Sequence, residues 1–315
     1  MTSRYVARRL ATALVTLLLV SLLTYSLIYV APGDPAEATL RAQLGEQPTQ
    51  GQVEAFRAEH GLDEPFHVQY AGWLGDLLTG DLGESYAHER SVAQLVATSL
   101  PPTLALAAGG MAVSLAVSVP TGVASALRPN GPVDHASQLF ALVGVAMPNF
   151  WLGYLLIFVF ALALGLTPVS GSGSLSHLLL PSITLGTGLA AVQTRLLRGA
   201  MLDVLDEEFV DAARARGVRE RVVVYKHALR NALVPVITVV GLQLGFVLNG
   251  AVIVEVVFQR PGLGTLLIDA VFGRDYPVVQ GVTLLAGVLF VSVNVATDLL
   301  YRRLDPRITL GGERA

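Results

Sequence analysis

The 315-residue sequence has no cysteine and only one lysine, Lys226. The lack of cysteine excludes disulfides, thiolate metal ligands and cysteine nucleophiles. The lysine follows Tyr225 rather than a glycine-rich turn, so the sequence has no Gly-Lys-Ser/Thr phosphate-binding loop. It has no Gly-x-Ser-x-Gly elbow, and no two of its six histidines have the spacing of a metal site on one helix face. We therefore expect no catalytic, cofactor or metal site in this chain.

Charge is also scarce. Charged residues make up 14% of the sequence and hydrophobic residues 53%, whereas a soluble domain has roughly 25% charged residues. The net charge of −3 and the lack of a long basic run give no indication of nucleic-acid binding. The composition predicts an all-α integral membrane protein.

Uncharged stretches predict six transmembrane helices, because a charge at mid-bilayer costs about 2.5 to 3.5 kcal/mol on insertion scales. The region 136–194 has no Asp, Glu, Lys or Arg and is long enough for two spans, with a turn-rich break at 167–174. The apolar run at 10–30 is too long for a cleaved signal peptide. The other spans are predicted at 102–126, 235–254 and 278–297.

The distribution of Lys and Arg predicts the orientation. With the N-terminus inside, sixteen of the 21 basic residues lie on the cytoplasmic side and five lie outside. This asymmetry predicts a multi-pass protein of the cell membrane with both termini in the cytoplasm.

A charged loop between Asp206 and Pro235 interrupts the apolar sequence and reads as two short helices joined at Gly217. Asp206 is suited to cap the first helix through its side chain, and Glu207 and Glu208 suit the positive end of that helix. Arg216 suits its negative end, and Gly217 falls where a helix most often needs a left-handed residue to stop.

Small and apolar residues form one face of the first loop helix. Phe209, Ala212 and Ala213 lie at helical spacing, so another protein can approach the backbone closely there. The alternative is a helix lying on lipid headgroups, which normally needs an excess of basic residues. Residues 199–234 hold six basic and six acidic residues, so the charge balance argues against that alternative.

The loop resembles the EAA loop of ABC-importer permeases, by which the membrane subunit docks into a cleft on its ATPase. Asp211, Ala212, Ala213 and Gly217 fit the family pattern, and the ending HALRNALVP is similar to the dipeptide and oligopeptide branch. The resemblance implies that the ATPase-coupling residues are Glu207, Glu208, Phe209, Asp211, Ala212, Ala213, Arg216 and Gly217.

The segment 31–100 is the only sizeable water-facing part, with eleven acidic and three basic residues. Its Gly-Pro clusters, and others later in the chain, are similar to those of the B-type permease subunits of dipeptide and oligopeptide importers. Through these motifs the resemblance extends over essentially the whole chain. The motifs are GLDEP at 61–65, GDLGESY at 80–86, FQRPGLG at 258–264, RDYP at 274–277 and DPR at 305–307.

The resemblance implies a fold of six transmembrane helices, with an N-terminal helix at 1–30, an extracytoplasmic segment at 31–100 and a permease core at 101–315. The coupling loop occupies about 199–234. The implied partners are a second homologous permease, two ABC ATPase subunits that hold ATP and Mg, and an extracytoplasmic binding protein. Short peptides are the implied substrate, and nickel, haem, glutathione and oligosaccharides are alternatives within the branch.

Polar residues inside the spans leave two interpretations open. Asn149, Gln193, Gln243 and Asn249 are candidate pathway-lining residues, and they are equally suited to hydrogen bonds between packed helices. No ionisable residue falls in the middle of a predicted span, which argues against the alternative of an ion-coupled secondary transporter. An intramembrane enzyme is disfavoured because no catalytic constellation is present. Glu255 is expected at the interface or in a loop.

Overall fold

The computed structural model describes residues 3–30, 34–88 and 90–304. The chain divides into two compact units. One unit comprises Met1–Pro102 and Pro261–Val291, and the other comprises Thr103–Arg260 and Ser292–Ala315. The predicted outer segment 31–100 thus shares a unit with the N-terminal helix and with a later part of the chain. The DPR motif at 305–307 lies outside the described residues.

The described residues form α-helices that we label α1 to α13, with two π-helical segments. They are α1 (Ser3–Val30), α2 (Pro35–Leu44), α3 (Gln50–Glu59), α4 (Phe66–Thr79), α5 (Val92–Leu127), α6 (Pro132–Ala146), α7 (Asn149–Leu156), α8 (Leu175–Leu205), α9 (Glu208–Ala215), α10 (Glu220–Val222), α11 (Leu229–Val257), α12 (Leu263–Phe272) and α13 (Tyr276–Leu304). The π-helical segments are Ile157–Ala163 and Val223–Ala228.

The short helices of the outer segment have well-defined ends. Asp34 caps α2 by accepting a hydrogen bond from the backbone N–H of Ala36 at 3.1 Å. Thr49 and Gln52 form a capping box at the start of α3. Gly80 ends α4 in the left-handed conformation at φ 88°, which costs glycine little. Local sequence therefore fixes where these helices start and stop.

A buried carboxylate holds the turn that follows α4. Asp275 is 1% exposed and accepts hydrogen bonds from the Ser85 hydroxyl at 2.5 Å and from the backbone N–H groups of Tyr86 and Ala87 at 3.1 and 3.3 Å. Three donors compensate the loss of water around the carboxylate. The turn is thereby fixed to the residues just before α13.

Aromatic rings join α1 to α4 in the first unit. The Tyr25 ring centroid lies 5.3 Å from Trp73, 5.6 Å from Tyr70 and 5.8 Å from Phe66. The Tyr70 hydroxyl is also 2.8 Å from the Ser21 hydroxyl. Tilted and edge-to-face pairs of this kind add to the stabilisation from burial.

In the second unit, helices α5 and α8 approach closely through glycine. A Cβ placed on Gly186 would lie 2.6 Å from the Gly110 carbonyl oxygen, a distance that no side chain tolerates. Small residues allow this contact between helices, as they do in membrane bundles. Two clusters of buried apolar residues lie along α5, α8 and α11, one around Leu106 and Leu185 and one around Leu197 and Met201.

Four described helices are long and apolar enough to cross a membrane, and a bent pair brings the number to five. The four are Val92–Leu127, Leu175–Leu205, Glu220–Val257 and Tyr276–Thr297. The predicted span at 10–30 falls on α1, whose described apolar stretch, Ala11–Ser26, is shorter than those four. The all-helical class agrees with the sequence prediction, whereas the number of six spans stays a prediction.

The bent pair consists of Pro132–Ala146 and Asn149–Ala163, and the chain bends by 109° between them. Between them, Met147 is extended at φ −83° and ψ 121°, because Pro148 disfavours the helical conformation in the residue before it. The predicted break at 167–174 is confirmed, since the π-helix ends at Ala163 and α8 starts at Leu175. The bend at Met147 was not predicted, although the Met-Pro sequence was the available signal.

Candidate functional site

Helix α9 is the first helix of the charged loop. Its N-cap is Glu207, which has extended backbone angles and makes no side-chain capping hydrogen bond. The prediction that Asp206 caps this helix was wrong, because α8 continues to Leu205 and Asp206 is the C-cap of α8. Glu208 still lies in the first turn of α9, where its charge suits the positive end of the helix dipole.

The C-terminal end of α9 is closed as predicted. Gly217 has φ 74°, its N–H donates to the Arg214 carbonyl at 2.9 Å, and the Val218 N–H donates to the Ala213 carbonyl at 3.2 Å. These two hydrogen bonds are the pattern of a Schellman motif. Open space surrounds the position of a Cβ at Gly217, so the requirement for glycine there comes from the backbone angle.

One side of α9 is anchored and the other is exposed. Val210 is fully buried and is the residue that holds the helix to the unit. Phe209 is 42% exposed, Ala212 is exposed and Ala213 is half-buried. The face predicted for a partner is therefore accessible at Phe209 and Ala212. The anchoring residue Val210 was missed because a single valine gives no periodic signal.

The second half of the loop is not a separate short helix. After the turn at Gly217, the chain enters Glu220–Val257, which continues through the π-helical segment and includes Pro235. The prediction of two short helices was therefore wrong for the second one. No glycine lies between Glu220 and Pro235 to end a helix, and a proline inside a membrane helix is tolerated where neighbouring helices pack against it.

Arg214 ties α9 to the start of this long helix. Its guanidinium donates to the Glu220 carboxylate at 3.0 and 3.3 Å and to Asp211 at 3.4 Å. The hydrogen bond to Glu220 is the main reason that the pKa of Arg214 is raised. Glu220 was not among the predicted coupling residues. The Asp211 side chain remains 76% exposed and accessible to a partner.

The remaining predicted coupling residues lie on the surface. Glu207, Glu208 and Arg216 are exposed, and within the described part of the chain none forms an ion pair. Aromatic residues and arginine are enriched in protein–protein interfaces, and exposed charges can pair with opposite charges on a partner. The structure thus brings Phe209, Ala212 and these charges together on one short helix.

Two of the four pathway candidates form a hydrogen-bonded network between helices. Gln193 on α8 is fully buried and donates to the Gln243 side chain on α11 at 2.7 Å. It also accepts from the Ser118 hydroxyl at 2.8 Å and donates to Ser114 at 3.2 Å, both on α5. This arrangement has the geometry expected of interhelical hydrogen bonds. A role in lining the pathway stays a prediction.

The other two candidates lie apart from this network. Asn149 begins α7 and is half-buried, with its side-chain amide close to Gly188 and Gly250. Asn249 is exposed on α11. The structure therefore does not gather the four candidates into one site.

A buried ion pair was missed by the sequence interpretation. Asp134 on α6 is fully buried and accepts from Arg198 on α8 at 2.6 and 2.7 Å. It also accepts from the Ser125 hydroxyl at 2.5 Å and from the backbone N–H of Asn130 at 2.8 Å. The donors fully occupy this carboxylate, so it has the properties of a structural link between helices rather than of a proton carrier.

Glu255 lies just beyond a predicted span, and its side chain is buried. It lies near the end of α11, as expected, but it is fully buried and accepts from the Thr103 hydroxyl at 2.6 Å. Glu255 therefore does not lie in a loop, because it belongs to α11, where α5 packs against it. Its position at the membrane interface stays a prediction.

Residues 118–310 match the family described as binding-protein-dependent transport system inner membrane component. Residues 2–107 match the N-terminal part of the same kind of membrane component. The chain is 41% identical over 316 residues to a protein of Brucella suis biovar 1 that is named as a peptide permease, and the match covers 97% of this chain and 98% of that protein. It is also 41% identical over 304 residues to the glutathione transport system permease protein GsiC of Pectobacterium atrosepticum, with 96% and 98% covered.

Among solved structures, the chain resembles an inward-facing conformation of the MetNI methionine ABC transporter. The TM-score is 0.57 and the identity is 20%, over 68% of this chain and 97% of the other. A second match, an amino acid ABC transporter crystallised with histidines, has a TM-score of 0.52 and 16% identity, over 67% of this chain and 94% of the other. At these identities the likeness concerns the fold alone.

Proposed function

Because this chain belongs to the family of binding-protein-dependent transport system inner membrane components and is a permease subunit of a peptide-type ABC importer, we propose that it carries short peptides across the cell membrane. Two relatives that match nearly the whole chain support this substrate class, since they are named for peptide and for glutathione transport. Glutathione is itself a peptide, so both names agree with a substrate that has peptide bonds and charged ends.

The transport machinery needs partners. An importer of this family works with ATPase subunits and a substrate-binding protein in addition to the membrane component. We further propose that this chain pairs with a second homologous permease to form the pathway, and that each permease engages one ATPase. ATP and Mg would be held by the ATPases, and the binding protein would deliver peptide to the outer face.

The surface of α9 is the observation that carries the coupling proposal. Val210 anchors the helix, and Phe209 and Ala212 face outward. Arg214 links α9 to Glu220, the first residue of the 38-residue helix Glu220–Val257. A displacement of α9 by the ATPases would therefore pull directly on a membrane-spanning helix. In this mechanism ATP binding opens the pathway outward, and hydrolysis resets it.

Uptake measurements test the substrate. Cells that lack this gene should lose uptake of radiolabelled dialanine and regain it when the gene is restored, while nickel uptake stays unchanged. A parallel measurement with glutathione tests whether the tripeptide shares the route. Loss of nickel uptake with unchanged dialanine uptake would replace the peptide substrate by a metal.

We also propose that both termini and the charged loop lie in the cytoplasm, on the basis of the excess of Lys and Arg on that side. Because the chain has no cysteine, single cysteines report topology without background. Gly51→Cys, an exposed position on α3, should react with an impermeant thiol reagent in intact cells, and Arg219→Cys, an exposed loop position, should not. Labelling in the opposite pattern would reverse the orientation.

A further inference from the structure

The first unit contains a cavity that the coupling mechanism does not use. Its volume is about 690 Å³, within the range of about 300–1,000 Å³ that is usual for small-molecule sites. Aromatic side chains from α1, α3, α4 and the turn before α5 line it: Tyr25, Phe56, Trp73 and Tyr86. The N-terminal part of α13 contributes Gln280.

The charge around this cavity is of one sign. Glu59, Glu64, Asp76 and Glu84 line it, and its lining residues include no lysine or arginine. Within the described residues, none of these four carboxylates has a hydrogen-bond or ion-pair partner. Aromatic faces attract cations, and uncompensated carboxylates reinforce that attraction. The cavity is therefore suited to a positively charged group.

Gln280 supplies an independent indication of a ligand. The residue is 4% exposed, and its side-chain Nε2 has no hydrogen-bond partner in the described structure. A buried amide donor without an acceptor is costly, so such a group is unusual where nothing binds. The Nε2 atom is itself covered, but the Gln280 side chain lines the cavity, so rotation of the amide toward a ligand carbonyl oxygen would remove that cost.

The aromatic residues are fixed before any ligand arrives. Phe56 stacks on His60 with ring centroids 4.0 Å apart, and the Tyr86 ring meets Phe56 edge-on at 5.4 Å. Burial, and after it the Asp275 carboxylate, raise the pKa of Tyr86 to about 12, so its phenol is neutral at physiological pH. An aromatic belt at the membrane interface is the alternative for such a cluster. That alternative does not account for the carboxylates or for Gln280.

We propose that this cavity binds a ligand that carries a primary ammonium group beside an amide carbonyl, which is the chemistry of a peptide N-terminus. The ammonium lies among the aromatic rings and carboxylates, and the carbonyl accepts from Gln280. The choice of a peptide as ligand rests on the proposed function, whereas the preference for an ammonium rests on the cavity alone. The cavity is then a peptide site on the permease itself.

Cysteine protection tests the proposal in the complete transporter. Gly72 and Gly75 both lie on α4, and a Cβ at either position meets nothing within 4 Å, but only Gly72 lines the cavity. The labelling rate of Gly72→Cys by a maleimide should fall about tenfold at a dialanine concentration about ten times the dissociation constant, by mass action. Gly75→Cys is the matched control, and its rate should not change.

The chemical assignment is tested by ligand and by variant. N-acetyl-dialanine lacks the ammonium and should not protect Gly72→Cys. In the Gly72→Cys background, Gln280→Met and the double variant Glu64→Gln/Asp76→Asn should each raise the dissociation constant about tenfold, the effect expected for a lost charge-assisted or buried hydrogen bond. Glu46→Gln, an exposed position outside the cavity, should leave it unchanged.

The outcomes separate this inference from the proposed function. Dialanine uptake without protection of Gly72→Cys would overturn the cavity proposal and leave the substrate assignment intact. Equal protection by N-acetyl-dialanine would overturn the ammonium assignment. Protection by the binding protein alone, without peptide, would also overturn the proposal, because a side chain of that protein would then be the occupant. Protection without uptake would support the cavity and refute the substrate.

Discussion

Polar side chains are exposed at helix α9, whereas those in the interior of the second unit are buried and bonded to one another. In the interior, the Asp134 carboxylate and the Gln193 amide are buried and accept or donate several hydrogen bonds each. At the two ends of α9, Glu207 and Arg216 are exposed and have no ion-pair partner among the described residues, and the Phe209 side chain is 42% exposed. Buried polar groups that bond to one another fix the helices together, whereas exposed groups leave a surface available to a partner. Substitutions in the two regions should therefore affect different measurements.

The largest effect is expected for Asp134→Ala. This change leaves the Arg198 guanidinium without its buried partner, and breaking a buried pair costs about 3 to 5 kcal/mol. We expect a strong loss of purified protein and a lower thermal denaturation temperature in detergent. Asp203→Ala, an exposed carboxylate on the same helix as Arg198, is the control and should denature like the native protein. An unchanged denaturation temperature for Asp134→Ala would show that the pair with Arg198 does not stabilise the fold.

Gly217→Val should abolish coupling without unfolding the chain. The left-handed conformation at φ 74° costs other residues about 1 to 2 kcal/mol, which a single short helix anchored by Val210 cannot easily offset. ATP-driven peptide uptake should fall sharply while the amount of protein in the membrane is maintained. Gly217→Asn is the matched variant, because asparagine tolerates this conformation, and it should retain most of the uptake. Normal uptake by Gly217→Val would show that α9 is not the coupling element.

Asp211→Lys tests whether the Asp211 carboxylate binds the ATPase or only pairs with Arg214 within the loop. Asp211 is 3.4 Å from Arg214, an exposed pair that contributes only about 0.2 to 0.5 kcal/mol. If the carboxylate binds the ATPase, the substitution should reduce co-purification of the ATPase or uncouple hydrolysis from substrate delivery. Asp203→Lys is the control for the added charge. If both variants keep substrate-stimulated hydrolysis, the docking contact moves to Phe209 and Ala212.

The smallest effect is expected for Gln193→Leu. Interhelical hydrogen bonds in membrane proteins contribute about 0.6 kcal/mol on average, so we expect a small decrease in the denaturation temperature and unchanged uptake. Ser114→Ala, which removes one partner of the same amide, should have a similar or smaller effect. A large loss of dialanine uptake with unchanged thermal stability would instead assign Gln193 to the pathway.

The charged loop and the end of its first helix could be predicted from sequence because their signals are local. Gly217 is predictable, since the need for a left-handed residue at a helix end is set by its neighbours in the chain. The predictions for Asp206 and for the second loop helix failed for a different reason. The end of α8 and the continuity of the helix Glu220–Val257 depend on packing against other helices. The local sequence does not indicate that packing. The bend at Met147 could have been predicted locally, because Pro148 disfavours a helical conformation in the residue before it. Hydropathy alone does not indicate such a bend.

The sequence by itself determined the helical class, the approximate positions of the apolar segments and the surface residues of α9, because hydropathy, helix caps and turn residues act over a few residues. Only the tertiary structure decided that Asp134 meets Arg198, that Gln193 meets Gln243 and that Gln280 lines an acidic, aromatic cavity. Those contacts join residues from separate helices. A polar residue in an apolar helix is compatible with many partners, and the packing of the helices selects one.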